Sequence, residues 1–207
     1  MHSAPLPSVY PIVDSAAWVS RLLPVGARLI QLRIKQADEA HVRREIAEAR
    51  EHCIASGAQL IVNDYWQLAL QLKCDFVHLG QEDLAGCDLE ALRAHGLRFG
   101  VSTHDDAELE RALAVRPDYI ALGPIYATLL KQMPWAPQGL ARLSEWKRRI
   151  GKIALVAIGG LTPERLAGVF GAGADSAAVV TDIVRAAEPE ERMSQWLAEA
   201  KRVTGRG

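Results

Sequence analysis

Short apolar, β-branched runs recur along the chain, each followed by a longer stretch of helical period. This alternation is what most limits the folds open to it. The runs are Val9 to Val13, Leu29 to Ile34, Leu60 to Val62, Phe76 to Leu79, Arg98 to Val101, Tyr119 to Leu122, Ala154 to Ile158 and Ser176 to Val180. Between and after them, helices are expected at 15–23, 38–55, 66–72, 88–94, 105–114, 140–149, 162–170 and 188–203. Strands that are apolar almost throughout belong to a parallel sheet covered on both faces. An open doubly wound sheet normally uses fewer strands, so eight βα repeats in 207 residues predict an α/β fold, a (β/α)8 TIM barrel. No Pro/Gly/Ser-rich tract divides the chain, and a single domain over residues 1–207 is expected. The segment from Ala40 to Cys53 sets charges around Val42, Ile46 and Ala49, as an outer helix with one buried face does. At Thr162 to Glu164, an N-cap threonine, a proline and an early acid predict a helix start.

With 24 Lys+Arg against 25 Asp+Glu, the net charge of −1 gives no global field that would attract nucleic acid or an anionic membrane. Phosphate binding, if present, must be local. Residues 1–11 lack a basic segment followed by an apolar run, and no stretch approaches the roughly 18 apolar residues of a spanning helix, so a cytoplasmic protein is expected. Cys53, Cys74 and Cys87 lack paired Cys-x-x-Cys spacing and read as reduced packing residues.

In a barrel, chemistry sits at the carboxyl ends of the strands, and those positions here are polar. The second strand ends Gln31-Leu32-Arg33-Ile34-Lys35, and alternation puts residues 31, 33 and 35 on one face. If Leu32 and Ile34 pack against helices, an amide and two cations point at the site; the bland reading makes Arg33 and Lys35 surface charges. Asn63-Asp64 ends the third strand, and Gly80-Gln81-Glu82-Asp83 forms the loop after the fourth. Neighbouring acids repel unless they share a proton or a cation, and hard oxygen ligands suit Mg²⁺, so Asp64 and Asp83 facing Arg33 and Lys35 look like a diphosphate-Mg²⁺ site. Taken singly, Asp64 could equally cap a helix and Asp83 a loop.

Ser102 after the fifth strand could bond an oxyanion or cap the helix beginning near Asp105. Thr128 and Lys131, in the irregular stretch from Tyr126 to Gln138, suit a phosphate. So do Gly159-Gly160 and Val180-Thr181, because the loops after strands seven and eight commonly bind phosphate in this fold. The alternative for the glycines is a tight turn alone. His78, inside a strand-like run, reads as a hydrogen-bonded structural residue rather than a ligand. A hydrolase elbow, a His-Glu-x-x-His motif and a complete dinucleotide loop are missing.

The motifs Gln31-Leu-Arg-Ile-Lys35, Val62-Asn-Asp64, His78-Leu-Gly-Gln-Glu-Asp83 and Gly100-Val-Ser-Thr-His104 resemble, in kind and order, those of the thiamin phosphate synthase family. Gly123-Pro-Ile-Tyr126, Lys131, Pro137-Gln-Gly139, Ala157-Ile-Gly-Gly160 and Val179-Val-Thr181 extend the resemblance over essentially the whole chain. It implies a transferase that joins a pyrimidine diphosphate to a thiazole phosphate, in decarboxylated or carboxylated form, with Mg²⁺ and loss of diphosphate. It further implies Gln31, Arg33, Lys35, Asn63 and Lys131 around the pyrimidine diphosphate, Asp64 and Asp83 on Mg²⁺, and Ser102 near the pyrimidine. Arg33, Lys35, Lys131 and Ser102 would be the catalytic set, while Thr128, Gly160, Val180 and Thr181 would hold the thiazole phosphate. Small-molecule substrates are then the partners expected, and a homo-oligomer is compatible with the sequence.

The chain departs from the family's usual Pro-Thr-x-Thr/Ser-Lys at Ala127-Thr128-Leu129-Leu130-Lys131, and Thr181 stands where serine is usual. Losing the hydroxyl at Leu130 bears on thiazole phosphate affinity, by about 1.5 to 3 kcal/mol if nothing replaces that hydrogen bond. A sister thiazole tautomerase would not need two metal-binding acids, and a thiamin-phosphate-binding sensor would bind without turnover.

Overall fold

The computed structural model describes residues 5–128 and 135–206. Eight strands, β1 (Val9–Val13), β2 (Leu29–Leu32), β3 (Gln59–Asn63), β4 (Phe76–Leu79), β5 (Arg98–Thr103), β6 (Tyr119–Leu122), β7 (Ala154–Ile158) and β8 (Ser176–Val179), close a barrel in sequence order. Every pair is parallel, and β1 closes on β8 through the register Val9↔Ala177, Tyr10↔Ala178 and Pro11↔Val179. The expected (β/α)8 barrel is the observed fold.

The helices are α1 (Ala16–Leu22), α2 (Glu39–Ser56), α3 (Trp66–Gln71), α4 (Gln81–Ala85), α5 (Leu89–Ala94), α6 (Asp106–Val115), α7 (Gly139–Ile150), α8 (Leu166–Gly171), α9 (Thr181–Val184) and α10 (Pro189–Thr204). Four begin on side chains suited to accept orphan backbone N–H groups: Ser15, Asp38, Asp88 and Asp105 receive Trp18, His41, Ala91 and Glu108 respectively. α2 stops at Gly57, whose φ of 63° is the left-handed cap that glycine takes without strain. α4 and α9 were not anticipated; the stretch read as the loop carrying Asp83 is the helical turn α4. The helix expected from Thr162 starts as a 3-10 turn, Pro163–Arg165, with no side-chain cap on its backbone.

Alternation along the strands makes two apolar cores. Tyr10, Ile12, Leu29, Ile61, Phe76, Tyr119, Ala121, Val156 and Ala178 fill the lumen. Residues of opposite parity, such as Leu32, Val62, Val77, Leu79, Val101, Ile120 and Ala177, pack outward with helix residues that include Ile46, Trp146 and Trp196. Continuing the inward parity to the strand ends leads to Gln31, Asn63, His78, Ser102 and Val180, so the core pattern aims these positions at the barrel mouth. Cys53 is buried, and burial pushes all three thiols up, Cys53 to about 12 and the other two to about 11, consistent with packing residues. Among the described residues, no helix is long and apolar enough to cross a membrane.

Candidate active site

The β2 ladder ends at Leu32, two residues earlier than expected, yet the alternation persists: the Arg33 N–H still donates to Val13 O at 2.7 Å. Leu32 and Ile34 are buried toward the helices, Gln31 is 2% exposed in the lumen, and Arg33 and Lys35 emerge at the rim. Lys35 is no idle surface charge, because its ammonium pairs with the Asp64 carboxylate from the next strand end.

Asp64 takes a left-handed φ of 64°, uncommon without glycine, and does not cap α3. Its carboxylate instead lies close to that of Asp83 in the first turn of α4, near enough for the two charges to oppose each other. Burial, then the Asp64 charge, raises the Asp83 carboxyl above the usual range, while Lys35 opposes the rise. This is the signature of two acids that would gain from a shared cation. A cleft of about 440 Å³ opens beside them, bounded in part by Asp64, Trp66, Glu82 and Asp83. Among the described residues no three His, Cys, Asp or Glu groups converge as a self-sufficient cage. Two carboxylates with remaining positions for water and phosphate oxygen suit Mg²⁺. Asn63, beside them, is 4% exposed and its Nδ2 has no hydrogen-bond partner among the described residues. A buried donor left unmade is costly, so a ligand oxygen here would be well received.

Ser102 is not a helix cap; Asp105 does that work. Its hydroxyl lies 2.7 Å from His78 Nε2, and its carbonyl accepts from Gln81 Nε2 at 2.7 Å. His78 Nδ1 is 2.6 Å from Tyr119 Oη, Tyr119 Oη is 2.8 Å from Tyr10 Oη, and Gln31 Nε2 donates to Tyr10 Oη at 2.7 Å. Burial pulls His78 down to about 4, and the opposing charge of Asp64 is offset by Arg33, His104 and Lys35. A neutral imidazole therefore floors the site at neutral pH, and His78 is the hydrogen-bonded residue expected. The tyrosines and Gln81 escaped the sequence reading. Their signal was parity and spacing: Tyr10 and Tyr119 hold inward positions, and Gln81 lies two residues before Asp83.

On the opposite rim, the register Ile158↔Ala178 sets the ends of β7 and β8 side by side, bringing Gly159-Gly160 toward Val180-Thr181. Gly160 has φ 63°, and a Cβ there would lie 2.4 Å from Ala127 O. Glycine is thus required for close approach to the segment that carries Thr128, whatever anion the rim receives. Val180 and Thr181 are half-buried, and Thr181 opens α9. Lys131, Leu129 and Leu130 lie outside the described residues.

Residues 9–183 match the family model described as thiamine monophosphate synthase. The thiamine-phosphate synthase of Rhizobium etli is 59% identical over 189 residues, covering 91% of this chain and 93% of the relative. That of Salmonella choleraesuis is 50% identical over 190 residues, covering 92% and 90%. Among solved structures, thiamine phosphate pyrophosphorylase from Pyrococcus furiosus superposes with a TM-score of 0.85 at 26% identity, covering 96% of this chain and 97% of that one.

Proposed function

Since the chain belongs to the thiamine monophosphate synthase family, and is a transferase that condenses 4-amino-2-methyl-5-(diphosphooxymethyl)pyrimidine with 4-methyl-5-(2-phosphooxyethyl)thiazole to thiamine phosphate and diphosphate, we propose how its barrel mouth divides that work. The diphosphate lies over the β2, β3 and β4 ends, held by Arg33, Lys35 and Asn63, and Lys131 joins them. Asp64 and Asp83 hold Mg²⁺. The pyrimidine ring meets Gln31 and Ser102, and Thr128, Gly160, Val180 and Thr181 receive the thiazole phosphate. The observation that carries this reading is the close approach of the Asp64 and Asp83 carboxylates, beside the Lys35 ammonium and Asn63 Nδ2, which has no hydrogen-bond partner among the described residues.

The reaction follows from charge. When the methylene C–O bond breaks, its electron pair leaves with diphosphate, and the aminopyrimidine ring delocalises the positive charge left on carbon. Arg33, Lys35 and Lys131 meet the developing negative charge more strongly than they meet the ground state, which is where catalysis arises. Bound at the two aspartates, Mg²⁺ supplies further neutralisation of the leaving diphosphate. The thiazole nitrogen lone pair then forms the new C–N bond, so no side-chain nucleophile is needed. Neutral His78 adds no cation beneath the electron-poor ring.

Steady-state kinetics on separate variants test the division. Arg33→Ala and Lys35→Ala should lower kcat/KM for the pyrimidine diphosphate by about 10²- to 10³-fold, the usual cost of one preorganised charge-stabilising donor, with the KM for thiazole phosphate near wild type. Thr181→Val should show the reverse pattern. Equal effects on both substrates from either side of the mouth would contradict the assignment.

A further inference from the structure

The lumen beneath the mouth holds an unbroken run of polar groups, of which the reaction as derived uses the two ends, Gln31 and Ser102, but neither tyrosine between them. Gln31 Nε2, Tyr10 Oη, Tyr119 Oη, the two nitrogens of His78 and Ser102 Oγ connect through contacts of 2.7, 2.8, 2.6 and 2.7 Å. We propose that Tyr10, Tyr119 and His78 are positioning residues forming a hydrogen-bond chain of fixed polarity, which holds Ser102 as a donor toward a ring nitrogen of the pyrimidine. This rests on the placement of that ring at Ser102.

The polarity follows from counting protons. Tyr10 Oη accepts from Gln31. Its own hydrogen needs an acceptor, and Tyr119 Oη is its other partner among the described residues. Reversing that bond would strand the Tyr10 hydrogen in a buried lumen, at the cost of an unmade hydrogen bond. Tyr119 must then donate to His78 Nδ1. A neutral imidazole accepting at Nδ1 carries its hydrogen on Nε2 and donates to Ser102 Oγ. The serine's hydrogen is thereby turned away from the wall, toward the ligand. Burial holds both phenols protonated, so neither end of the chain is lost to ionisation.

The strands are built to permit this contact. His78 pairs with Gly100, and Gly100 with Tyr119, so the two rings stand on β4 and β6 with β5 between them. A Cβ on Gly100 would lie 2.1 Å from Tyr119 Cζ. The missing side chain is the gap through which the rings reach each other, stacked with centroids 5.6 Å apart at 13°. A gap serving packing alone would not have to end at a hydrogen bond between the Tyr119 hydroxyl and His78 Nδ1.

The first test is the ¹⁵N spectrum of His78 in the ligand-free wild-type protein at neutral pH. The expected form has its hydrogen on Nε2; a hydrogen on Nδ1 would overturn the proposal. The second is a double-mutant cycle. Tyr119→Phe should raise the KM for pyrimidine diphosphate about 3- to 10-fold, the span of one neutral hydrogen bond, while the KM for thiazole phosphate stays put. In a Ser102→Ala background the same change should cost almost nothing. Full additivity would overturn the chain's action through Ser102. If Ser102→Ala alone left the pyrimidine KM unchanged, the ring placement would fall, and the His78 tautomer would still report the polarity separately.

Discussion

His78 shows how one buried side chain sets a pH limit on the fold. Burial, the largest cause, holds its imidazole at about 4, against 6.5 for the ordinary group. The unfolded chain therefore binds the proton more readily, so this contribution to stability is complete above pH 6.5 and is lost as pH falls from there toward 4. It amounts to on the order of 3 kcal/mol, and His78→Gln should flatten that part of the profile, as denaturant titrations between pH 7 and 4 would measure. An unchanged slope in the variant would assign the acid sensitivity elsewhere. Asp83 has the opposite sign of interest. Its raised carboxyl lets protons compete with a cation, so Mg²⁺ binding measured calorimetrically with diphosphate present should weaken as pH falls from 7 toward 5. Equal affinities across that range would deny Asp83 a ligand role. Both aspartates were legible as neighbouring strand-end acids. Their close approach was not, because it depends on the left-handed turn at Asp64 and on the helical turn that carries Asp83.

At the level of elements, β1, β4, β6 and β7 stand at the expected residues, since each is a short apolar run broken at most by His78 in β4. β2 and β8 end earlier than periodicity suggests, because hydrogen bonding stops before the alternation does. The turns α4 and α9 were hidden by their shortness, five and four residues leaving no period to read. Two glycines tie elements together in ways a motif does not reveal. Gly100→Ala would drive a methyl into the Tyr119 ring and should cost about 1 to 3 kcal/mol of stability by overpacking. Gly160→Ala strains a φ of 63° and pushes on Ala127 O, at about 1 to 3 kcal/mol. Besides that loss, Gly160→Ala should raise the KM for thiazole phosphate and leave that for the pyrimidine diphosphate unchanged. Thermal unfolding and paired kinetics check both variants; an effect of Gly160→Ala confined to the pyrimidine side would misplace the thiazole phosphate.

Over the whole molecule, barrel closure is the property from which the site follows. Counting eight alternations made the architecture legible, and closure of β1 on β8 puts Tyr10 in the same lumen as Tyr119, across 109 positions of sequence. No local pattern announces such a contact; it exists only once all inward positions share one axis. The outer layer makes the closure durable. Trp196 of α10 is fully buried and donates its indole N–H to Asp182 at 2.7 Å, beyond the end of β8. The polar mouth above this scaffold gathers charges of both signs at close quarters, with Arg33 and Lys35 facing Asp64 and Asp83. The most direct test of that arrangement is thiamine phosphate formation by chelator-treated enzyme as Mg²⁺ is returned, in wild type and in Asp64→Ala and Asp83→Ala. Turnover that vanishes on chelation, recovers with Mg²⁺ in wild type, and stays at least about 10²-fold lower in both variants is the expected result. Full activity in the chelated wild type, or in either variant, would contradict the paired-aspartate site.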